Sequence, residues 1–545
     1  MKNLGLETLK KYVLQGGDKP YIMVMALVWQ RCDELRVLTI IEKGCVEVLF
    51  NSYEFIFLFL PITIIGFFLV SKKRRQYGTL WLVLASFFFY GWWDYHYVPL
   101  LAASICFNYW VGKHLEALAA GYEIPKGGAV TKDMPQAAAR KGWLIFGIVV
   151  NVALLGYFKY TDFFLGTVNA VAGTDWFDLP HIVLPLGISF FTFTQTAYLV
   201  DAYRGQAKNQ SFLTYCEFVT IFPHLIAGPI INHKEMIPQF VAEKTFRVDW
   251  HNVSVGLAIL IMGLFKKVAI ADKLSPWVGG VFSHADSLTF IEAWFGVLAY
   301  TLQLYFDFSG YSEMAIGLGL MINLRLPQNF DSPYQSRSII DFWRRWHMTL
   351  GLWVKNYLYI PMGGNRHGQL KKMRNLFVSM LIIGLWHGAG WTYVFWGAWH
   401  GVMLMVNHLW RSLHINLPQA LCWLMTITGV IIGWVFFRAA SFGEAQSILY
   451  AMTDFQSIVL PAFCEKALGF LSAFGVTFSA AHVVSTKQFL EVVALFVVVV
   501  FIPNPLRVVQ QYFKENNKWL LVLTALLVYA LLKLNSYSEF LYFQF

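Results

Sequence analysis

Charge is what this sequence has least of. Asp, Glu, Lys and Arg make up 14% of its 545 residues and hydrophobic side chains 57%, against roughly 25% charged in a soluble domain. That balance excludes an ordinary soluble protein. Cysteine is sparse: Cys32, Cys45, Cys106, Cys216, Cys422 and Cys464 are scattered, with no CxxC pair. No disulfide framework or zinc site is readable, and no metal centre is expected. No ten-residue alternation of apolar and polar positions marks a membrane barrel. No internal repeat and no matched pair of Gly/Pro-broken apolar segments favours a transporter or flippase. No Gly-x-Ser-x-Gly nucleophile elbow is present. The apolar stretch 23–29 is too short for a signal peptide.

Long hydrophobic runs are present instead, at 55–70, 144–157, 182–200, 253–265, 376–386, 421–437, 492–502 and 520–532, with weaker ones at 80–93, 98–111 and 291–305. Several reach or approach the ~20 residues that cross a bilayer. A spanning segment must satisfy its own backbone hydrogen bonds, so the runs are helices. The expected fold is an all-α polytopic integral membrane protein with roughly nine to twelve transmembrane or re-entrant helices around a central funnel. Segment 438–489 reads as short helices and loops outside the bilayer core, and 224–229 as a break in a buried element.

The net charge of +10 is no nucleic-acid footprint, because the positive residues sit in loops, where they orient a membrane protein. Lys72-Lys73-Arg74-Arg75 and the loop 113–141 read as cytoplasmic. So does 324–375, where Arg325, Arg337, Arg344, Arg345, Lys355, Arg366, Lys371, Lys372 and Arg374 face only Asp331 and Asp341. Residues 1–47 lack this patterning and read as a spurious or disordered extension ahead of a single membrane domain, 48–545.

Two histidine motifs carry the chemistry. Phe342-Trp343-Arg344-Arg345-Trp346-His347 lies in the basic segment, and Gly384-Leu385-Trp386-His387-Gly388 lies in an apolar run. A histidine in a hydrophobic span is a functional candidate by default, although a packed imidazole bonded to a carbonyl is an equal reading from the residues alone. Imidazole suits proton transfer near neutral pH. Trp386 and Trp391 could wall such a site, and Gly384, Gly388 and Gly390 could allow close approach. Asp307 and Glu313 need partners, for which Arg344 or Arg345 is chemically suited. If 384–401 were one helix, His400 would lie about 140° around the axis from His387, so a structural role is expected for it. His367 and His408 read as loop or interface residues, and Lys371 and Lys372 as topology signals at the lipid headgroups.

Asp307-Phe308-Ser309-Gly310-Tyr311, Asp341-Phe342-Trp343-Arg344-Arg345-Trp346-His347, Tyr359-Ile360-Pro361-Met362-Gly363-Gly364-Asn365, Gly384-Leu385-Trp386-His387-Gly388 and the end Glu539-Phe540-Leu541-Tyr542-Phe543-Gln544-Phe545 together resemble the membrane-bound O-acyltransferase family, in its alginate O-acetylase-like branch. The resemblance covers about 48–545, with the histidine core at 300–412. It implies that His387 is the catalytic histidine and His347 a second catalytic position. It also suggests Arg344, Arg345, Asp307, Ser309, Tyr311, Trp386 and Asn329 as substrate-binding residues.

The expected function is O-acetyl transfer in a bacterial inner (cytoplasmic) membrane, toward hydroxyls of an exported polysaccharide such as alginate. The donor is acetyl-CoA or a related cytoplasmic thioester, and no bound cofactor is expected. Partners are membrane lipids and a periplasmic acetyltransferase or carrier protein that completes the transfer. Teichoic-acid D-alanyl or lipid O-acyl transfer is the alternative within the family. A membrane glycosyltransferase would favour a cytoplasmic carboxylate cluster, and 324–375 is strongly basic instead.

Overall fold

The computed structural model describes residues 50–119, 136–208, 210–479, 484–534 and 541. The extension 1–47, most of the loop 113–141 and, apart from Leu541, the end motif 539–545 lie outside the described residues. Among the described residues the chain is almost wholly helical. The exception is a two-stranded parallel ladder pairing residues 459–461 with 477–479.

The principal helices are α1 (Leu60–Ser71), α2 (Arg75–Trp93), α3 (Val98–Ala117), α4 (Ala137–Leu155), α5 (Ile188–Tyr203), α6 (Trp250–Phe265), α7 (Phe290–Met321), α8 (Gln369–His387), α9 (Trp391–Ser412), α10 (Gln419–Arg438), α11 (Thr486–Phe501) and α12 (Asn517–Lys533). Three helical stretches, Ala137–Ala172, Trp250–Phe282 and Gln419–Arg438, are long and apolar enough to cross a bilayer by length and composition. The pair Thr486–Phe501 and Pro505–Tyr512 would make a fourth, bent by 53°. The other long helices carry more polar residues. Helix α7 buries Asp307, Ser309, Ser312 and Glu313, and α8 opens on Lys371, Lys372 and Arg374.

Helix α7 is the central element. It starts at a capping box in which Thr289 and Glu292 satisfy each other's backbone, and runs for 32 residues, nearly all buried. Against it lies α6. A Cβ on Gly256 would stand 2.6 Å from the Gly317 carbonyl oxygen, and one on Gly263 2.6 Å from that of Gly310. The seven-residue spacing repeats on both helices, so only hydrogen-sized side chains allow this contact. Small residues at such a seam are how helices approach closely within a membrane.

The close approach settles what Asp307 and Glu313 pair with. Expected to meet Arg344 or Arg345, they meet lysines from the turn that follows α6. Lys266 Nζ lies 2.8 Å from Glu313, and Lys267 Nζ lies 2.7 Å from Asp307 and 2.6 Å from Asp272. Arg345 instead pairs with Asp341 at 3.0 Å, one turn back on its own short helix.

Loop contacts define two ends. At one, Arg75 pairs with Glu243 at 3.0 Å, Arg325 donates its amide to Gln239, and Asn323 donates to the Arg247 carbonyl. The basic runs 72–75 and 324–375 therefore share this end. At the other, Tyr97 donates to the Val183 carbonyl, Ser447 to Asp286, and Trp294 to the Met452 carbonyl. Segment 439–479 lies at this second end as the helix Phe442–Ala451, short turns and the small ladder. The expected break near 224–229 is a four-residue helix, Phe222–Leu225, running into irregular buried chain.

Candidate active site

His387 is the last residue of α8. The chain then extends at Gly388 and Gly390 and enters α9 at once, so 384–401 is two helices and not one. The pair is antiparallel and tight: a Cβ on Gly384 would lie 2.3 Å from the Tyr393 carbonyl oxygen, and one on Gly397 2.4 Å from that of Met380. The His387 ring is buried against Trp386 (centroids 4.9 Å apart), Trp396 (5.2 Å) and Phe437 (5.2 Å). Neither ring nitrogen has a hydrogen-bond partner among the described residues. Buried polar atoms are nearly always satisfied; His224 and His400 share this state, and what sets His387 apart is its place beside His347 at the end of α8.

His347 lies 6.3 Å away, centroid to centroid. It joins the short helices Ile339–Arg345 and Met348–Val354 in a left-handed conformation, φ 44°. Such backbone costs of order 1–3 kcal/mol in a non-glycine residue and gathers at functional sites. Its Nδ1 is 3.1 Å from Asn329 Oδ1. That same Asn329 atom accepts from the Thr349 amide (3.3 Å) and hydroxyl (2.9 Å). A backbone amide only donates, so the Asn329 atom is the oxygen and His347 Nδ1 carries the proton. The lone pair is left on Nε2, which is buried with no partner among the described residues.

A cleft of about 980 Å³ opens at the basic end and stops short of this pair, which stays buried behind its wall. Arg344, Lys355, Arg366 and Lys372 line it with apolar residues of the 340–360 segment and α8. The α8 contribution is one stripe, Lys372, Leu376, Ser379, Met380 and Ile383, steps of three or four residues whose continuation falls at Trp386 and His387. Met348 and Thr349, which follow His347, also line it. Beyond His387 lies a small cavity of about 10 Å³ among Leu304, Phe308, Trp346, Trp396, Trp434 and Phe437.

Residues 182–452 match the profile of the membrane-bound O-acyltransferase family. The chain is 40% identical over 534 residues to a peptidoglycan O-acetyltransferase of Helicobacter pylori, spanning 91% of this chain and 98% of that protein. This chain belongs to the membrane-bound O-acyltransferase family. It is also 44% identical over 416 residues to a probable alginate O-acetylase of Pseudomonas aeruginosa (75% of each chain). A teichoic acid D-alanyltransferase of Bacillus subtilis matches at 26% over 255 residues (44% of this chain, 64% of that one).

The structure gathers part of the candidate set of this O-acyltransferase and disperses the rest. His387, His347, Asn329 and Trp386 come together, and Arg344 stands on the cleft wall. Arg345 does not line the cleft. Asp307, Ser309 and Tyr311 do not line it either. They lie inside the helix bundle, Ser309 donating to the Tyr305 carbonyl and Tyr311 stacked on Phe50 at 4.5 Å. Trp391, expected to wall the site, is 53% exposed and packs on Phe163; Trp396 takes its place. His400 is boxed by Trp343 (5.2 Å) and Trp396 (4.9 Å), behind the cleft wall. Lys372 and His408 line the cleft, 3.2 Å apart.

Sequence reasoning passed over Lys159 and Tyr160, which follow α4 and touch the end of α8. The available signal was a lysine directly continuing an apolar run, a pattern that Lys266 and Lys267 share and that was likewise passed over.

Proposed function

We propose that this O-acyltransferase moves an acetyl group from a thioester entering at the basic end to a hydroxyl arriving at the opposite end. The observation that carries the reading is the cleft itself. It begins among four cationic side chains and follows one stripe of α8 as far as Ile383, one turn before His387, while Met348 and Thr349 beside His347 line its wall. Arginine and lysine at its wall suit the phosphates of a coenzyme A-type donor, and its apolar depth suits the pantetheine arm and excludes water, so hydrolysis does not compete.

His387 acts as the base. It takes the proton of the acceptor hydroxyl as the oxygen attacks the thioester carbonyl, and returns it to the departing thiolate. His347, held by Asn329 with Nε2 as an acceptor, orients the hydroxyl or its proton. The basic end faces the cytoplasm of a bacterial inner membrane, by the excess of Lys and Arg in its loops. The acceptor is an exported polysaccharide, either directly or through a periplasmic partner protein. The names of the peptidoglycan and alginate relatives support that substrate class, and the peptidoglycan relative matches over more of the chain.

The test is replacement of His387 by Ala, with ester-linked acetyl on the exported polymer and acetyl-CoA turnover in proteoliposomes as readouts. Loss of a positioned base costs ~10²–10⁴ in rate, with the protein still inserted. Acetylation near the parent level in that variant would refute the assignment. His347→Ala is expected to impair activity less completely.

A further inference from the structure

We propose that Lys159 is a positioning residue for the transfer reaction, holding the end of α8 so that His387 points into the site. The proposal rests on His387 being the base.

Lys159 lies in the wide turn 156–160 that continues α4. It is 9% exposed. Its ammonium donates to the Trp386 carbonyl and, at 3.4 Å, to that of His387. The next residue, Tyr160, donates its hydroxyl to the Leu385 carbonyl at 2.8 Å. No carboxylate pairs with Lys159 among the described residues. A buried, unpaired ammonium is costly at membrane depth, so what it touches is informative. It touches the end of the helix that carries His387, and lies 5.9 Å from the centre of the Trp386 ring.

Three features explain why the contact positions His387. The last carbonyls of any helix lack intrahelical donors; here 385, 386 and 387 receive theirs from a helix more than 200 residues away. That end of a helix carries partial negative charge, which a cation complements. The chain then leaves the helix at extended Gly388, which has no side chain of its own to fix where the helix stops. Lys159 therefore sets the height and rotation of the final turn, and the imidazole follows. A misplacement of about 1 Å costs on the order of 100-fold in a transfer step.

The experiment compares Lys159→Met, Lys159→Gln, Lys159→Arg and His387→Ala in proteoliposomes with acetyl-CoA as the probe, together with thermal unfolding. Met keeps the stem without a donor, Gln donates without charge, and Arg restores both. Expected for Met is a kcat loss of about 10- to 100-fold with the KM for acetyl-CoA unchanged. Gln should be intermediate and Arg closest to the parent, with unfolding temperatures similar across the set. If Met turns over normally while His387→Ala is dead, the proposal is overturned and the site reading stands. If all three lysine variants lose activity in proportion to lost thermal stability, the residue is merely structural and the proposal is again overturned. If His387→Ala remains active, the site reading itself fails. Should Met not fold, the Gln-to-Arg comparison decides alone.

Discussion

Asn329 decides which ring nitrogen His347 leaves free to accept. Its oxygen is claimed by Thr349 and by the Nδ1 proton, so Nε2 alone is free to accept. Asn329→Leu removes the acceptor and lets the ring choose either tautomer or rotate. Groups that orient a reacting side chain are typically worth 10–100-fold, and a drop of that size in polymer acetylation is expected. Asn329→Asp keeps an acceptor and should lose less. Equal activity of the Leu variant and the parent would remove Asn329 from the mechanism. The two arginines divide as well. Arg344→Gln is expected to raise the KM for acetyl-CoA, because Arg344 lines the cleft. Arg345→Gln is expected to leave KM alone and to affect only the half-buried pairing with Asp341, worth under about 1 kcal/mol, and the donation to the Asp331 carbonyl at 3.4 Å. A kinetic comparison of the single variants separates these outcomes.

At this scale the sequence was legible where one residue stood against its background. His387 was visible because an imidazole interrupts an apolar run. Its orientation was not visible, because Lys159 and His387 meet across a sequence separation of 228, and nothing local encodes that meeting. Nor was the partner of Asp307. Chemical suitability favours a guanidinium for a carboxylate, but proximity is decided by how closely two backbones approach, and four glycines on α6 and α7 bring Lys266 and Lys267 within reach first.

Between elements, those glycines and the charges beside them act as one seam. Lys266, Lys267, Asp272, Asp307 and Glu313 are all buried. Removing one member of a buried pair leaves the other uncompensated and costs about 3–5 kcal/mol, whereas replacing both with apolar groups is often neutral. Lys266→Met and Glu313→Leu are each expected to lower unfolding temperature in detergent, and the double variant to recover most of the loss. A double variant as unstable as the sum of the singles would show that the two side chains do not interact. The α8–α9 seam has a different consequence. Gly397→Leu would push against the Met380 carbonyl, part the two helices and displace His387, so activity should fall more steeply than stability. The helices themselves were readable from hydrophobic runs. The break between α8 and α9 was not, because Gly388 and Gly390 fit a continuous membrane helix on composition and only their extended backbone divides it.

Across the whole molecule, the two ends differ in charge. Cationic loops gather where the cleft opens, and the 439–479 segment at the far end carries Glu444, Asp454 and Glu465 against a single lysine, Lys466. Single cysteines placed at Lys73 and Asp454 in a cysteine-free background should behave oppositely toward a membrane-impermeant thiol reagent in intact cells. Position 454 is expected to react and 73 to be protected until the cells are opened. The reverse pattern would turn the cleft outward and exclude a cytoplasmic thioester as donor.

The small cavity beyond His387 has a consequence for the cell's energy supply. A cleft of about 980 Å³ reaching deep into a membrane protein invites leakage of protons. Its lining stops short of His387, and the space behind that ring is only about 10 Å³ among indole and phenyl rings, room for about one water molecule. One water cannot form the hydrogen-bonded file along which protons hop. The resting protein, with no substrate in place, is therefore expected to leave an ion gradient intact.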